Sequence, residues 1–343
     1  MDTKANDCHT IGGFFNINGK KLQRQYRDSL SDFHDWEHKD HAKDYLLFPE
    51  NIGPKISIDE TALSKGELYT IITNKYAKGK KGSLIAIFSG TKVEPIIEKL
   101  LTISSRTRAK VKEVTLDMAN SMKNIVTKCF VNAVQVTDRF HVQKLVNEAV
   151  QDIRVQERWI ALDAENTQIL EAKKQGKHFI PIEFDNGDTA KQLLIRSRYL
   201  LTRDISKWTT NQKQRADILF QQYPVLKQAY SLSQQLRTIY NLTTVKEVGY
   251  TKLARWYNDV QNTGLKQFST VINTIQINYK TILNYFDNRS TNASAESFNA
   301  KINHYGLKVH SLLKQTKVCL GGATYSSIKL PPLSFGLRWC SRY

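Results

Sequence analysis

After residue 55 the chain runs through short apolar stretches broken by turn-forming residues. Residues 56–60, 68–73 and 84–88 read as three β-strands, the last two joined by Lys78-Gly79-Lys80-Lys81-Gly82. From Val93 the period changes: Val93, Ile96, Ile97, Leu100 and Leu101 recur at helical spacing over 93–103. Residues 111–116 then read as a fourth strand, 118–130 as a second helix, 134–138 as a fifth strand, and Phe140 opens a third helix. That order predicts a mixed sheet with helices on its faces.

The remaining pattern divides the chain into unequal parts. Residues 1–54 are polar, basic and rich in His, a lead-in to the first part of an α/β domain over 55–146. Residues 147–286 are almost purely helical in period and read as an insertion; their glutamine-heavy stretch 212–235 is expected to be a solvated helical face. Trp208 in this stretch is expected in the core, with stacking on an extruded base as the alternative. Residues 287–302 carry one more helix. The tail, 303–343, contains no Asp or Glu, carries Gly321-Gly322 and Pro331-Pro332, and keeps no steady period, as an out-of-frame remnant after a frameshift near codon 302 would.

Composition narrows the partners. Lys and Arg number 50 against 32 Asp and Glu, a formal charge of +18, which suits a polyphosphate partner such as DNA better than an acidic or neutral one. A basic surface kept for solubility is the plainer alternative. The four cysteines show no CxxC spacing and the chain opens without an apolar leader, so a reduced, cytoplasmic, nucleoid-associated protein without structural zinc is expected. No apolar run approaches the roughly 20 residues that span a bilayer, so no membrane partner is expected.

Three acids stand in chemically legible frames. Asp59 closes Ile56-Ser57-Ile58, Asp117 closes Val114-Thr115-Leu116, and Glu296 lies in a helical frame inside Thr291-Asn292-Ala293-Ser294-Ala295-Glu296-Ser297-Phe298-Asn299. Phosphodiester chemistry with two divalent ions needs anionic oxygens converging on cations, and three carboxylates gathered without a cation would repel one another. Asp59 and Asp117 meet if the first and fourth strands lie side by side. In the helical frame Ala295, Phe298 and Ile302 are expected to face the sheet. Glu60, next to Asp59, is expected on the other side of its strand, away from the metal.

With Ser57-Ile58-Asp59-Glu60-Thr61-Ala62-Leu63-Ser64-Lys65-Gly66, Thr115-Leu116-Asp117-Met118-Ala119-Asn120-Ser121-Met122, Thr137-Asp138-Arg139-Phe140-His141-Val142 and the 291–302 segment in this order, the chain resembles the DDE transposases of bacterial insertion sequences. The likeness runs over about residues 10–302 and is to the branch whose catalytic domain is interrupted by a helical insertion. It implies an RNase H-like fold, Asp59, Asp117 and Glu296 as the catalytic and metal-holding acids, and two Mg²⁺ or Mn²⁺ ions. It also implies metal-dependent DNA cleavage and strand transfer, with terminal inverted repeats and target DNA as partners; whether the chain works as a homo-oligomer is left open by the sequence. A catalytically inactive, decayed transposase or a plain basic nucleic-acid-binding protein is the alternative. The resemblance matches Asp138 and His141 to a motif after the fifth strand; from the residues alone they either support catalysis or cap the helix and orient each other. Lys78, Lys80, Lys81, Arg139 and Lys144, with Lys20, Lys21, Arg24 and Arg27 earlier, are the candidate DNA contacts, each equally readable as a solvated cation. Residues 1–54 are short for a helix-turn-helix and lack zinc ligands, so end recognition is expected from a separately encoded subunit.

Overall fold

The computed structural model describes residues 8–30, 34–62, 67–292, 295 and 299. These form two compact units, one made by the residues up to Asp138 together with those from Ser290 onward, the other by Arg139–Arg289.

The first unit is built on a six-stranded sheet. Helices α1 (Cys8–Phe14) and α2 (Gly19–Gln25) precede β1 (Tyr45–Leu47), β2 (Lys55–Ala62), β3 (Leu68–Asn74) and β4 (Leu84–Ser89). There follow α3 (Val93–Leu101), the short α4 (Ser105–Arg108), β5 (Glu113–Leu116), α5 (Asn120–Cys129) and β6 (Val134–Thr137). The strand order is β1-β4-β3-β2-β5-β6. β2, β3 and β4 form an antiparallel meander, whereas β5 joins β2, and β6 joins β5, in parallel. Parallel pairing requires a crossover, and α3 with α4 supplies the first and α5 the second.

The period-2 pattern decides which face each strand buries. Ile56, Ile58, Ile72, Val114 and Leu116 point to one face, where Ile96 and Leu100 of α3 and Met122, Ile125 and Val126 of α5 close a continuous core. All five expected strands and the three expected helices are present, with ends that coincide or shift by one or two residues. One strand was not expected. β1 is three residues long and exists through its pairing with β4, Leu46 opposite Ile87, so the lead-in contributes an edge strand to the sheet.

The second unit is helical: α6 (Arg139–Lys174), α7 (Ala190–Arg196), α8 (Thr210–Gln222), α9 (Pro224–Leu242), α10 (Lys246–Thr263), α11 (Ser269–Leu283) and α12 (Tyr285–Asn288). Val142, Val146, Ala149, Val150 and Ile153 form the buried stripe of α6, at spacings of three and four. Trp208 is buried, its indole N–H donating to the Leu200 carbonyl at 3.1 Å and its ring stacked on Tyr230, so it belongs to this core. Cys129 is a free, buried thiol. The tail expected to be out of frame, 303–343, lies outside the described residues.

Candidate active site

The sheet face opposite the apolar core is polar because the alternation that points Ile56 and Ile58 one way points Lys55, Ser57 and Asp59 the other. β5 repeats this. Val114 and Leu116 enter the core, and Glu113 and Thr115 share the polar face with Asp117 one step beyond. The parallel register aligns Ser57 with Thr115. Asp59 and Asp117 each follow two residues later, Asp59 within β2 and Asp117 just past β5, so continued alternation would put both on this face.

Asp117 is half-buried, and its Oδ1 accepts the Ala119 backbone N–H at 2.8 Å, turning the chain into α5 and holding the carboxylate at the strand end. Asp59 is held from the other side of the unit. The Asn299 side-chain amide donates from Nδ2 to Asp59 Oδ2 at 2.9 Å, and Asn299 is 6% exposed. Its Oδ1 is buried and has no hydrogen-bond partner among the described residues. Ala295 and Asn299 are both helical and both buried, four residues apart, so they lie on one face of a helix turned inward. Asn292 is buried as well, with both polar side-chain atoms unpartnered among the described residues. Glu296, Phe298 and Ile302 lie outside the described residues.

A second polar knot sits on the same face nearer the start of β2. Lys75, just past β3, donates from Nζ to Thr115 Oγ1 at 2.6 Å and to the Ser290 hydroxyl, and lies 3.8 Å from Glu113 Oε1. Ser290 donates to Glu113 Oε1, and Lys55 approaches Glu113 Oε2 at 3.4 Å. Burial drives the Lys75 ammonium down to about 8, against the opposing pull of Glu113 and Asp138, with Lys55 adding repulsion. The segment that begins at Ser290 is therefore fastened to β5 by charge-assisted hydrogen bonds.

Glu60 stands on the opposite side of β2 from Asp59, as alternation requires, yet it is not electrostatically remote. Burial raises its carboxyl and the Asp117 charge raises it further. Strand alternation separates Glu60 from Asp59 but not from the residue that ends the neighbouring strand. Lys123, on α5, is lowered by burial while Asp117 pulls it upward.

Asp138 follows β6, is 1% exposed, and its backbone N–H donates to the Leu116 carbonyl at 2.9 Å. His141, in the first turn of α6, packs edge-on against Phe140. Arg139 donates to Asn241 Oδ1 at 2.9 Å and lies over the Tyr285 ring, and Lys144 is 3.9 Å from Glu148. Lys78, Lys80 and Lys81 are exposed in the β3–β4 loop, which leaves the sheet where Asn74 pairs with Ile56. Three residues at about 3.3 Å each separate that end of β2 from Asp59, which lies in the middle of the strand. Lys20 and Lys21 give their backbone N–H groups to the Asn18 cap of α2, and the Arg27 side chain is tied to Asp28. Sequence reasoning gave no role to Asn299, Lys75, Glu113 or Ser290. Only Glu113 left a signal, as the one charged position on the same alternation as Thr115 and Asp117.

Among the described residues no three His, Cys, Asp or Glu side chains gather as a cation site. Asp59, bonded by an Asn299 amide whose carbonyl oxygen is orphaned, and Asp117, just past the neighbouring strand, carry oxygen donors of the kind that suits a hard divalent cation. Residues 56–308, more than half of the chain, match a family model described as a transposase. Among solved structures the chain is similar to a Drosophila P element transposase strand transfer complex, at 13% identity over 90% of this chain and 88% of that chain, with a TM-score of 0.36. No curated protein matches it.

Proposed function

The chain belongs to this DDE-type transposase family, and from that membership we propose that it cuts and joins DNA at a site formed by Asp59, Asp117 and Glu296. The observation that supports the reading is the β2–β5 register, which pairs Ser57 with Thr115, two residues before Asp59 and Asp117 on their respective chains. Glu296 precedes Asn299 by three residues in the sequence, and the bond from Asn299 to Asp59 supports assigning the third acid to this segment.

Asp59 and Asp117 would hold one Mg²⁺ or Mn²⁺ jointly, and Glu296 would complete a two-ion site. When bound, the ions activate the attacking oxygen and stabilise the leaving one. Asp59 and Asp117 would serve as ligands that fix those ions, and no protein nucleophile would be needed. Water attacks phosphorus at the element end and the bond to the 3′-oxygen breaks. The freed 3′-hydroxyl then attacks a target phosphorus, and the target's own bond from that phosphorus to its 3′-oxygen breaks, leaving a 3′-hydroxyl on the target strand. Asp138, buried beside the end of β5, supports the strand that carries Asp117. DNA is the partner of a transposase, and the net charge of +18 supplies the sequence-independent part of that attraction. Recognition of the terminal repeats is assigned to a separate subunit, and the assembled form to more than one copy of this chain.

Cleavage of DNA carrying the element's ends tests the reading. Asp59→Asn and Asp117→Asn are each expected to lower Mg²⁺-dependent nicking on the order of a hundredfold or more while leaving DNA binding within about twofold of the parent. Nicking at the parental rate by either variant would remove that acid from the site.

A further inference from the structure

Asn299 makes one of its two possible kinds of contact and lacks the other. Its amide nitrogen is bonded to Asp59, while its carbonyl oxygen, in a side chain 94% buried, has no partner among the described residues. Leaving a buried amide oxygen unmade costs about 1–3 kcal/mol. The adjacent group, the Asp59 carboxylate, only accepts and cannot satisfy it. Reversing the amide would direct the carbonyl at the carboxylate, so the orientation is fixed by chemistry. An acceptor beside a carboxylate calls for positive charge, and no Lys or Arg of the described residues bonds to this oxygen.

We propose that Asn299 is a member of the divalent-cation site: its amide N–H fixes the plane of the Asp59 carboxylate, and its side-chain carbonyl supplies a neutral oxygen donor to the ion's coordination shell. This rests on the assignment of Asp59 as a metal-holding acid. A neutral donor in the shell has a chemical rationale. Three carboxylates neutralise much of the charge of two divalent ions, and a fourth acid would compete with the DNA phosphate for them, whereas an amide completes coordination without adding charge. The same side chain also fixes the helical register, because the face that bears Asn299 meets Asp59 only in one rotation of the helix. Hydrogen-bonding partners of metal ligands contribute about 10–100-fold to metal affinity or activity.

The test is Mn²⁺ binding to the full chain, followed by electron paramagnetic resonance in the absence of DNA, for the parent, Asn299→Ala, Asn299→Leu and Asp59→Asn. Leucine keeps the volume of the side chain and removes both polar atoms, so it decides the matter if the alanine variant loses its fold. Both Asn299 variants are expected to bind Mn²⁺ about 10–100-fold more weakly, with a matching rise in the Mg²⁺ concentration for half-maximal nicking and unchanged DNA affinity. Parental Mn²⁺ affinity in a folded Asn299 variant would overturn the proposal. If Asp59→Asn also kept parental affinity, the assignment of Asp59 itself would fail. A loss with Asp59→Asn alone would leave that assignment standing and remove Asn299 from the site.

Discussion

At the scale of single residues, the polar sheet face combines groups that sequence made visible with groups it hid. Asp59 and Asp117 were legible because each closes an apolar strand, where a carboxylate is out of place unless it is used. Asn299 was not: an amide in a helical stretch looks like any surface residue until its burial is known. Lys75 was hidden for a similar reason, since a lysine after a strand is nearly always solvated. Its environment makes a pH prediction. The folded state releases the Lys75 proton at about 8 and the unfolded chain at 10.5, so between those values the unfolded state binds more protons and stability rises with pH. Below pH 8 both states are protonated and the contribution is constant. The difference of 2.5 units, 10.5 minus 8, corresponds to at most about 3 kcal/mol. Chemical denaturation from pH 7.5 to 10 is expected to show this rise in the parent relative to Lys75→Met, and parallel curves would show that Lys75 is not held this way.

At the scale of elements, the strands were readable because burial on one face imposes a period of two, and the register followed once β2 and β5 paired. β1 escaped notice because three residues carry too little pattern; only its pairing with β4 makes it a strand. The helices of Arg139–Arg289 were readable as helices, but what ties them together was not. Asp188 has a fully buried side chain ahead of α7, bonded by Arg215 of α8 at 2.8 Å and by Arg196 of α7. Burial pushes its carboxyl up, but the two guanidinium groups outweigh that and hold it below 3.8. Its stabilising contribution is complete above pH 3.8 and is lost as the pH falls through the lowered folded value. Asp188→Asn is expected to destabilise the helical unit by about 3 kcal/mol at neutral pH, because two arginines lose their counter-charge. A thermal midpoint equal to the parent's would show that the knot is incidental.

At the scale of the whole molecule, an α/β unit carries the acids and a helical unit stands in the chain between β6 and Ser290. The chain that leaves the sheet after Asp138 therefore returns through Ser290, which is locked to Glu113 and Lys75 before Asn299 reaches Asp59. Ser290 and Asn299 are thus both fastened to strands of the sheet despite the 151 residues of Arg139–Arg289 that precede them. The overall charge was legible from composition alone. The internal partners of individual cations were not: Arg139 is engaged by Asn241 and Tyr285. The claim that matters most is that Asp59 and Asp117 share a divalent ion. Fe²⁺ placed in that site, with ascorbate and peroxide, generates hydroxyl radicals that cut nearby backbone. Cuts close to residues 59 and 117 that excess Mg²⁺ suppresses and Asp117→Asn abolishes are the expected result; cuts elsewhere, or none, would contradict it.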